Sequence, residues 1–291
     1  MSPTLLALFS TLPRGSEEEF LGVAALLATL LGACVGSFLN VLAWRLPREE
    51  SLLRPSSHCP RCGSTLAWFE NVPLLSWVAL GGRCRHCRAP ISRRYPLCEL
   101  LCAGLWVLMV VARPDGLGPE PAWPLMVVAG WLLVTLLLAL ALIDGDQLWI
   151  PEPFCRWGVV AGWLVTAGAG GLQTPALGRA LLASHLLAAA LGLIGFELLS
   201  AVGTRCLGRP AMGAGDGKVG ALLGAWLGPM GLAMAALLAV LLAAVVGGVG
   251  LAIGRIQRHQ PIPFVPFLAV GGTLVWFTGS PLWRHLLLGQ G

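Results

Sequence analysis

Long apolar stretches, separated by short polar connections, dominate this chain. Runs near residues 20–43, 97–112, 124–143, 155–172, 180–201, 218–228 with its flanks, 230–253 and 262–279 fit membrane-spanning helices. Each crossing needs about 20 apolar residues. Two of the eight, 97–112 and 218–228, are short. The stretch 218–253 is too long for one crossing, and Gly228-Pro229 is the break expected inside it, because proline interrupts helical hydrogen bonding. One sizeable polar insertion, 44–96, follows the first run. The pattern predicts an all-α polytopic membrane protein of about eight transmembrane helices carrying one small polar domain. It divides into an N-terminal segment with the first helix (1–43), the insertion (44–96) and a helical membrane domain (97–291). No internal repeat is apparent, and the motif-poor run 230–253 reads as scaffold.

Composition agrees with a membrane class. Of 291 residues, 56% are hydrophobic and only 11% charged, where a soluble domain carries about 25% charge. The 38 glycines suit helices that approach closely. Met1 to Leu12 lacks a basic start and is followed by Glu17, Glu18 and Glu19, so it is not expected to be a cleavable signal. Fifteen of the 19 Lys and Arg fall in 44–96, 144–157, 203–218 and 254–261, leaving Arg14, Arg113, Arg179 and Arg284 for the other side. The positive-inside bias then predicts that the insertion faces the cytoplasm and both termini face outward.

The insertion holds Cys59-Pro-Arg-Cys62 and Cys84-Arg-His-Cys87, with 21 residues between the two units. Each unit presents two thiolates on a tight turn, and two such turns complete a tetrahedral zinc site. Cys59, Cys62, Cys84 and Cys87 are the expected ligands. Four thiolates leave no open position, so the metal would be structural. Two redox pairs or a disulfide are the competing readings. His58 and His86 are expected outside the ligand set, and the basic neighbours Arg61, Arg83, Arg85 and Arg88 favour thiolate. The apolar segment Val72 to Leu80 is too short to span; it forms the domain's core or lies on the membrane surface. Cys34, Cys98, Cys102, Cys155 and Cys206 are expected to be small buried hydrophobes.

From residue 121 onward there are only five acids: Asp144, Asp146, Glu152, Glu197 and Asp216. A carboxylate kept near hydrocarbon marks a candidate functional site. Asp216 sits in Gly213-Ala-Gly-Asp-Gly-Lys218, where glycines allow close backbone approach. Asp144 ends an apolar run on the same predicted side. Two carboxylates at the edge of a low-dielectric medium share a proton, and such a pair can activate water against a peptide. The competing reading makes Asp144 and Asp146 caps in the headgroup layer. Asn40 is expected to cap or bridge helices, and His185 and Glu197 to make structural hydrogen bonds.

An ordered set of motifs resembles the type IV prepilin peptidases, membrane aspartyl proteases of the GxGD class. The set comprises Gly36-Ser-Phe-Leu-Asn-Val-Leu-Ala-Trp-Arg-Leu-Pro47, the two cysteine units with Glu70-Asn-Val-Pro-Leu-Leu-Ser-Trp77 between them, and Arg94-Tyr-Pro-Leu-Cys-Glu99. Leu142-Ile-Asp144 through Ile150-Pro151, Met212-Gly-Ala-Gly-Asp-Gly-Lys218, Gly224-Ala-Trp-Leu-Gly228 and Pro263-Phe-Val-Pro-Phe267 complete it. The resemblance implies that Asp144, not Asp146, pairs with Asp216, with Lys218 at the family's basic position. Glu152 replaces the usual Asp after Ile-Pro, and Cys98 the usual Val. It further implies a bifunctional bacterial inner-membrane enzyme. Such an enzyme cuts the basic leader of prepilins and pseudopilins after glycine at the cytoplasmic face, then methylates the new N-terminus with S-adenosylmethionine. Its partners would be those substrates and membrane lipid, not nucleic acid. The methyltransferase half is associated with the N-terminal portion and cysteine domain. No GxGxxG loop marks a cofactor site; Glu70, Arg94 and Glu99 are candidate contributors, with ion pairs holding the zinc domain as their alternative role. A peptidase-only relative, a proton-coupled transporter and a non-catalytic assembly factor are the alternatives.

Overall fold

The computed structural model describes residues 14–112, 123–208, 212–213, 215–257 and 260–288. Expectations on Met1 to Leu12, Arg113, Arg209, Ala214 and Arg258 lie outside those residues, as does the side chain of Arg284. The described residues are helical, without strands: α1 (Arg14–Arg45), a short α2 (Leu75–Ala79), α3 (Arg94–Val111), α4 (Trp123–Gln147), α5 (Glu152–Gln173), α6 (Pro175–Leu207), α7 (Asp216–Ala252) and α8 (Val265–Leu288). The chain is an all-α membrane protein. Five helices are long and apolar enough to cross alone: Glu19–Arg48, Arg94–Val111, Pro124–Gln147, Pro175–Cys206 and Asp216–Ala252. The last merges two expected segments across a non-helical Gly228 (φ 68°) followed by Pro229, at the break the sequence marks.

Two compact units result, Met1–Arg113 and Pro114–Gly291. Hydropathy alone assigns the 97–112 helix to the later domain, yet α3 pairs with α1 in the first unit. Glycine spacing explains the pairing. A Cβ on Gly32 would lie 2.9 Å from Ala103 Cα, and one on Gly36 2.8 Å from Glu99 Cα. Glycines four apart present one smooth helix face on which a neighbouring backbone can rest.

The same device recurs in the second unit. Gly220 and Gly224 of α7 lie against Gly192 and Ala188 of α6, backbone on backbone. Gly158 and Gly162 of α5 make room for Leu222 and Trp226 of α7. Trp226 donates its indole N–H to the Gly158 carbonyl (2.8 Å) and meets Trp276 of α8 edge to face at 5.9 Å. Outward faces stay apolar: Leu26, Leu30, Leu164, Val245 and Val249 are all more than half exposed, which lipid tolerates and water does not. Two expectations fail for this reason. Cys98, Cys102 and Cys155 are buried, but Cys34 and Cys206 are exposed, because a lipid-facing surface accepts a thiol as readily as a core does.

The break in α7 has a specific repair. Pro229 has no N–H, so the Ala225 carbonyl, four residues earlier, loses its helical donor. His185 of α6 replaces it, with Nδ1 2.9 Å from that oxygen. A structural hydrogen bond is the role expected for this histidine, and the tautomer is the one protonated at Nδ1.

Candidate functional site

In the second unit Asp144 and Asp216 are the two deeply buried acids, 5% and 4% exposed. Asp146, two residues from Asp144, is exposed. Asp144 lies in the last turn of α4 and accepts the Val265 N–H at Oδ2 (3.1 Å). Val265 opens α8, so this carboxylate takes one of the amides that a helix start leaves unpaired. Asp216 opens α7 and accepts the Gly213 N–H at Oδ2 (3.0 Å). Its own N–H donates back to the Gly213 carbonyl (3.2 Å), closing the loop. Asp216 thus opens its own helix, while Asp144, at the C-terminal end of α4, reaches across to the N-terminus of α8; at both starts the positive end of the macrodipole favours an anion.

The two loops meet. A Cβ on Gly215 would lie 2.8 Å from Ile150 Cβ and closer still to the end of that side chain. Ile150 belongs to the turn that follows Asp144. The second glycine of the run is therefore required for the Asp216 loop to seat on the Asp144 loop. Among the described residues, no cation pairs with either carboxylate. Lys218 instead faces Glu152, 3.6 Å away, in an exposed ion pair of a kind worth about 0–1 kcal/mol. The Glu that replaces the usual Asp after Ile-Pro keeps that charge engaged.

Three features here escaped the sequence reading: the Val265 amide, the Ile150 contact, and a cavity of about 250 Å³ lined by Phe196, Glu197, Ser200, Ala201, Gly213 and Gly217. Pro263-Phe-Val-Pro-Phe267 was visible as a motif, but its use as a helix start for Asp144 was not. Glu197 is exposed and makes no hydrogen bond among the described residues, so the structural bond expected of it is absent there.

The candidate metal centre belongs to the first unit. The sulfurs of Cys59, Cys62, Cys84 and Cys87 all lie within 4.8 Å of one another, and Cys59 and Cys87 are 3.8 Å apart. Zinc–sulfur bonds of about 2.3 Å in a tetrahedron require sulfur–sulfur edges of about 3.8 Å, whereas a disulfide requires about 2.05 Å. The two turns are copies. Gly63 N–H bonds to the Cys59 carbonyl as Arg88 N–H bonds to that of Cys84, and Cys59 and Cys84 donate to the carbonyls of Ser64 and Ala89. Gly63 and Arg88 both take positive φ, 70° and 57°. A local repeat is therefore present in backbone though not in sequence.

Hydrogen bonds around the sulfurs favour the thiolate at two of them. Cys62 is held down to about 6 by hydrogen bonds from the Ser64 hydroxyl and amide, and Cys84 is lowered by the amides of Cys87 and His86. Cys87, although the Ala89 amide stabilises its thiolate, is pushed up to about 11 by desolvation and its sulfur neighbours. Four crowded thiolates need a cation between them. His58 turns its Nδ1 to the Ser56 carbonyl (3.1 Å), outside the ligand set.

Glu70 and Glu99 are buried in the same unit, 8% and 5% exposed, and each stitches a loop. Glu70 Oε2 accepts from Ala67 N–H (2.8 Å). Glu99 Oε2 accepts from Leu74 N–H (2.7 Å), holding a residue with φ 62°. Glu70 Oε1 is buried without a partner. Arg94 is half-buried at the start of α3.

Comparison with known proteins agrees with this division. Residues 30–113 match the model of the bacterial peptidase A24 N-terminal domain, and 131–248 that of the type IV leader peptidase family. The chain is 42% identical to a prepilin leader peptidase/N-methyltransferase of Myxococcus xanthus, over 89% of this chain and 74% of that protein. It is 36% identical to one of Burkholderia pseudomallei, over 98% and 92%. It is 35% identical to the type 4 prepilin-like proteins leader peptide-processing enzyme of Escherichia coli O78:H11, over 88% and 94%. No solved structure matches. With two buried aspartates on loops that meet, and relatives aligned along nearly its full length, the chain belongs to the prepilin leader peptidase/N-methyltransferase family.

Proposed function

We propose that this protein is a membrane-embedded enzyme that cleaves the basic leader of prepilins and pseudopilins at the cytoplasmic face of the bacterial inner membrane, then methylates the exposed N-terminus. The observation that carries the peptidase half is the contact of the Asp144 and Asp216 loops through Ile150 and Gly215, with both carboxylates buried. Each Oδ2 is occupied by a backbone amide, which leaves the other oxygen of each carboxylate for chemistry. The ionised partner takes a proton from water, and the protonated one polarises the scissile carbonyl. Asp144→Asn and Asp216→Asn, each purified in lipid, test this against a type IV prepilin. Loss of cleavage in both is expected; intact processing by either removes the dyad. A transporter or a non-catalytic assembly factor would leave the wild-type protein unable to cut at all.

The methyltransferase half is assigned to the insertion 44–96 and the helices flanking it. S-adenosylmethionine would supply an activated methyl group. Glu70, Arg94 and Glu99 are the residues proposed to hold it. The unpartnered Glu70 Oε1 fits a donor-rich cofactor, because a buried acceptor left empty costs about 1–3 kcal/mol. Zinc on Cys59, Cys62, Cys84 and Cys87 is assigned a structural role.

A further inference from the structure

Beside Gly213 and Gly217, on either side of Asp216 in the chain, lies a cavity that no step above uses. α6 turns Phe196, Glu197, Ser200 and Ala201, positions three to four apart, toward the loop and first turn of α7. Four of the six lining residues are small: Ser200, Ala201, Gly213 and Gly217. Phe196 forms one wall, packed against Gly220 and 6.3 Å from the ring of Phe264. Glu197 is the single charged group in the lining, and its Cγ comes to 3.3 Å of where a Gly217 Cβ would stand. On the same stretch of α6 Ile194, Leu198 and Leu199 are exposed apolar residues, so a glutamate here is an exception that demands a use. Gly213 and Gly217 flank Asp216 in sequence, so the cavity lies next to the segment that carries that acid.

We infer that Glu197 forms an anionic subsite that receives a lysine or arginine side chain of the peptide being cut. The shape fits such an occupant. Small residues and an aromatic wall accommodate a flexible aliphatic stem, and the carboxylate takes the charged head at its end. Glu197 is thus a specificity residue of the peptidase site, and the inference rests on the dyad reading.

The test uses the full-length enzyme in lipid vesicles and a purified type IV prepilin, together with versions in which each basic leader residue is replaced singly by glutamine. Glu197→Gln should raise KM about tenfold with kcat within about twofold. That penalty should vanish for one glutamine version and persist for the others, as a direct pair requires. Glu197→Lys should be rescued by a substrate carrying glutamate at that position. A penalty equal across all substrates, or none, overturns the subsite while wild-type cleavage keeps the dyad standing. If the wild-type enzyme cuts no prepilin, the dyad reading fails instead.

Discussion

The cysteine domain and the α6–α7 pair solve one problem, holding a few polar groups still, by opposite means. Around the cysteines the backbone is nearly all turn, with the short helix Leu75–Ala79 and two isolated bridges, His58 to Thr65 and Arg83 to Pro90. So small a segment buries too little apolar surface to stabilise itself, and sulfur–metal bonds at the four cysteines are proposed to take that role. Between α6 and α7 the His185–Ala225 hydrogen bond stands beside a fit of bare surfaces, with Gly220 and Gly224 resting on Gly192 and Ala188 about one turn apart. There the absence of side chains does the holding. A unit closed by ligands fails all at once when the metal leaves, whereas one closed by surface fit fails in proportion to the atoms added.

The largest effect expected lies at the dyad. Asp144→Asn or Asp216→Asn should cut prepilin cleavage by about 10³-fold or more, whereas Asp146→Asn, exposed beside them, should retain activity within about tenfold. The reverse order in a gel-shift cleavage assay would reassign the catalytic acid. Next comes the metal. Elemental analysis should find one zinc per chain, and chelation should make residues 44–96 protease-sensitive and abolish methylation, since binding energy there is folding energy. Cleavage lost as fast as methylation would erase the contrast between the two regions.

Glycine substitutions sharpen the other half. Gly224→Leu meets the Ala188 backbone, while Gly195→Leu on α6 has nothing within 4 Å. The first should lower stability by about 1–3 kcal/mol in a thermal melt, and the second should change it little. Gly215→Ala should reduce cleavage about tenfold or more, with partial recovery on adding Ile150→Ala, because the new methyl displaces one loop from the other. Equal melts for Gly224→Leu and Gly195→Leu would refute surface fit as the holding device. The smallest effect is assigned to Glu152→Gln, which removes one partner of an exposed ion pair and should shift stability by less than about 1 kcal/mol.

Much of this was legible in the chain. Apolar runs mark the helices because lipid demands them, and Gly228-Pro229 marks the break because proline cannot donate. The cysteine spacing foretold the sulfur cluster, and the positions of Asp144 and Asp216 at the ends of apolar runs foretold a shared depth. The unread part is long-range. Nothing local tells that Asp144 meets an amide 121 residues away, or that His185 serves the Ala225 carbonyl. The small-residue spacing of α1, α5 and α7 was readable as a packing face, but not which helix would cover it. Glu197 was expected to make a structural hydrogen bond, and its exposed position without one depends on which neighbours α6 meets, which sequence does not tell.

The amide that Asp144 accepts belongs to residue 265 whatever its side chain. Alanine scanning is therefore blind to this contact: every replacement at Val265 preserves the donor except one. Proline deletes it, and at the first position of a helix proline costs the helix nothing. Val265 is fully buried, so any loss of activity in Val265→Pro beyond that of Val265→Ala, which empties the same site but keeps the amide, would measure the hold on Asp144. A site tethered by main chain can let its neighbouring side chains drift without loosening its grip.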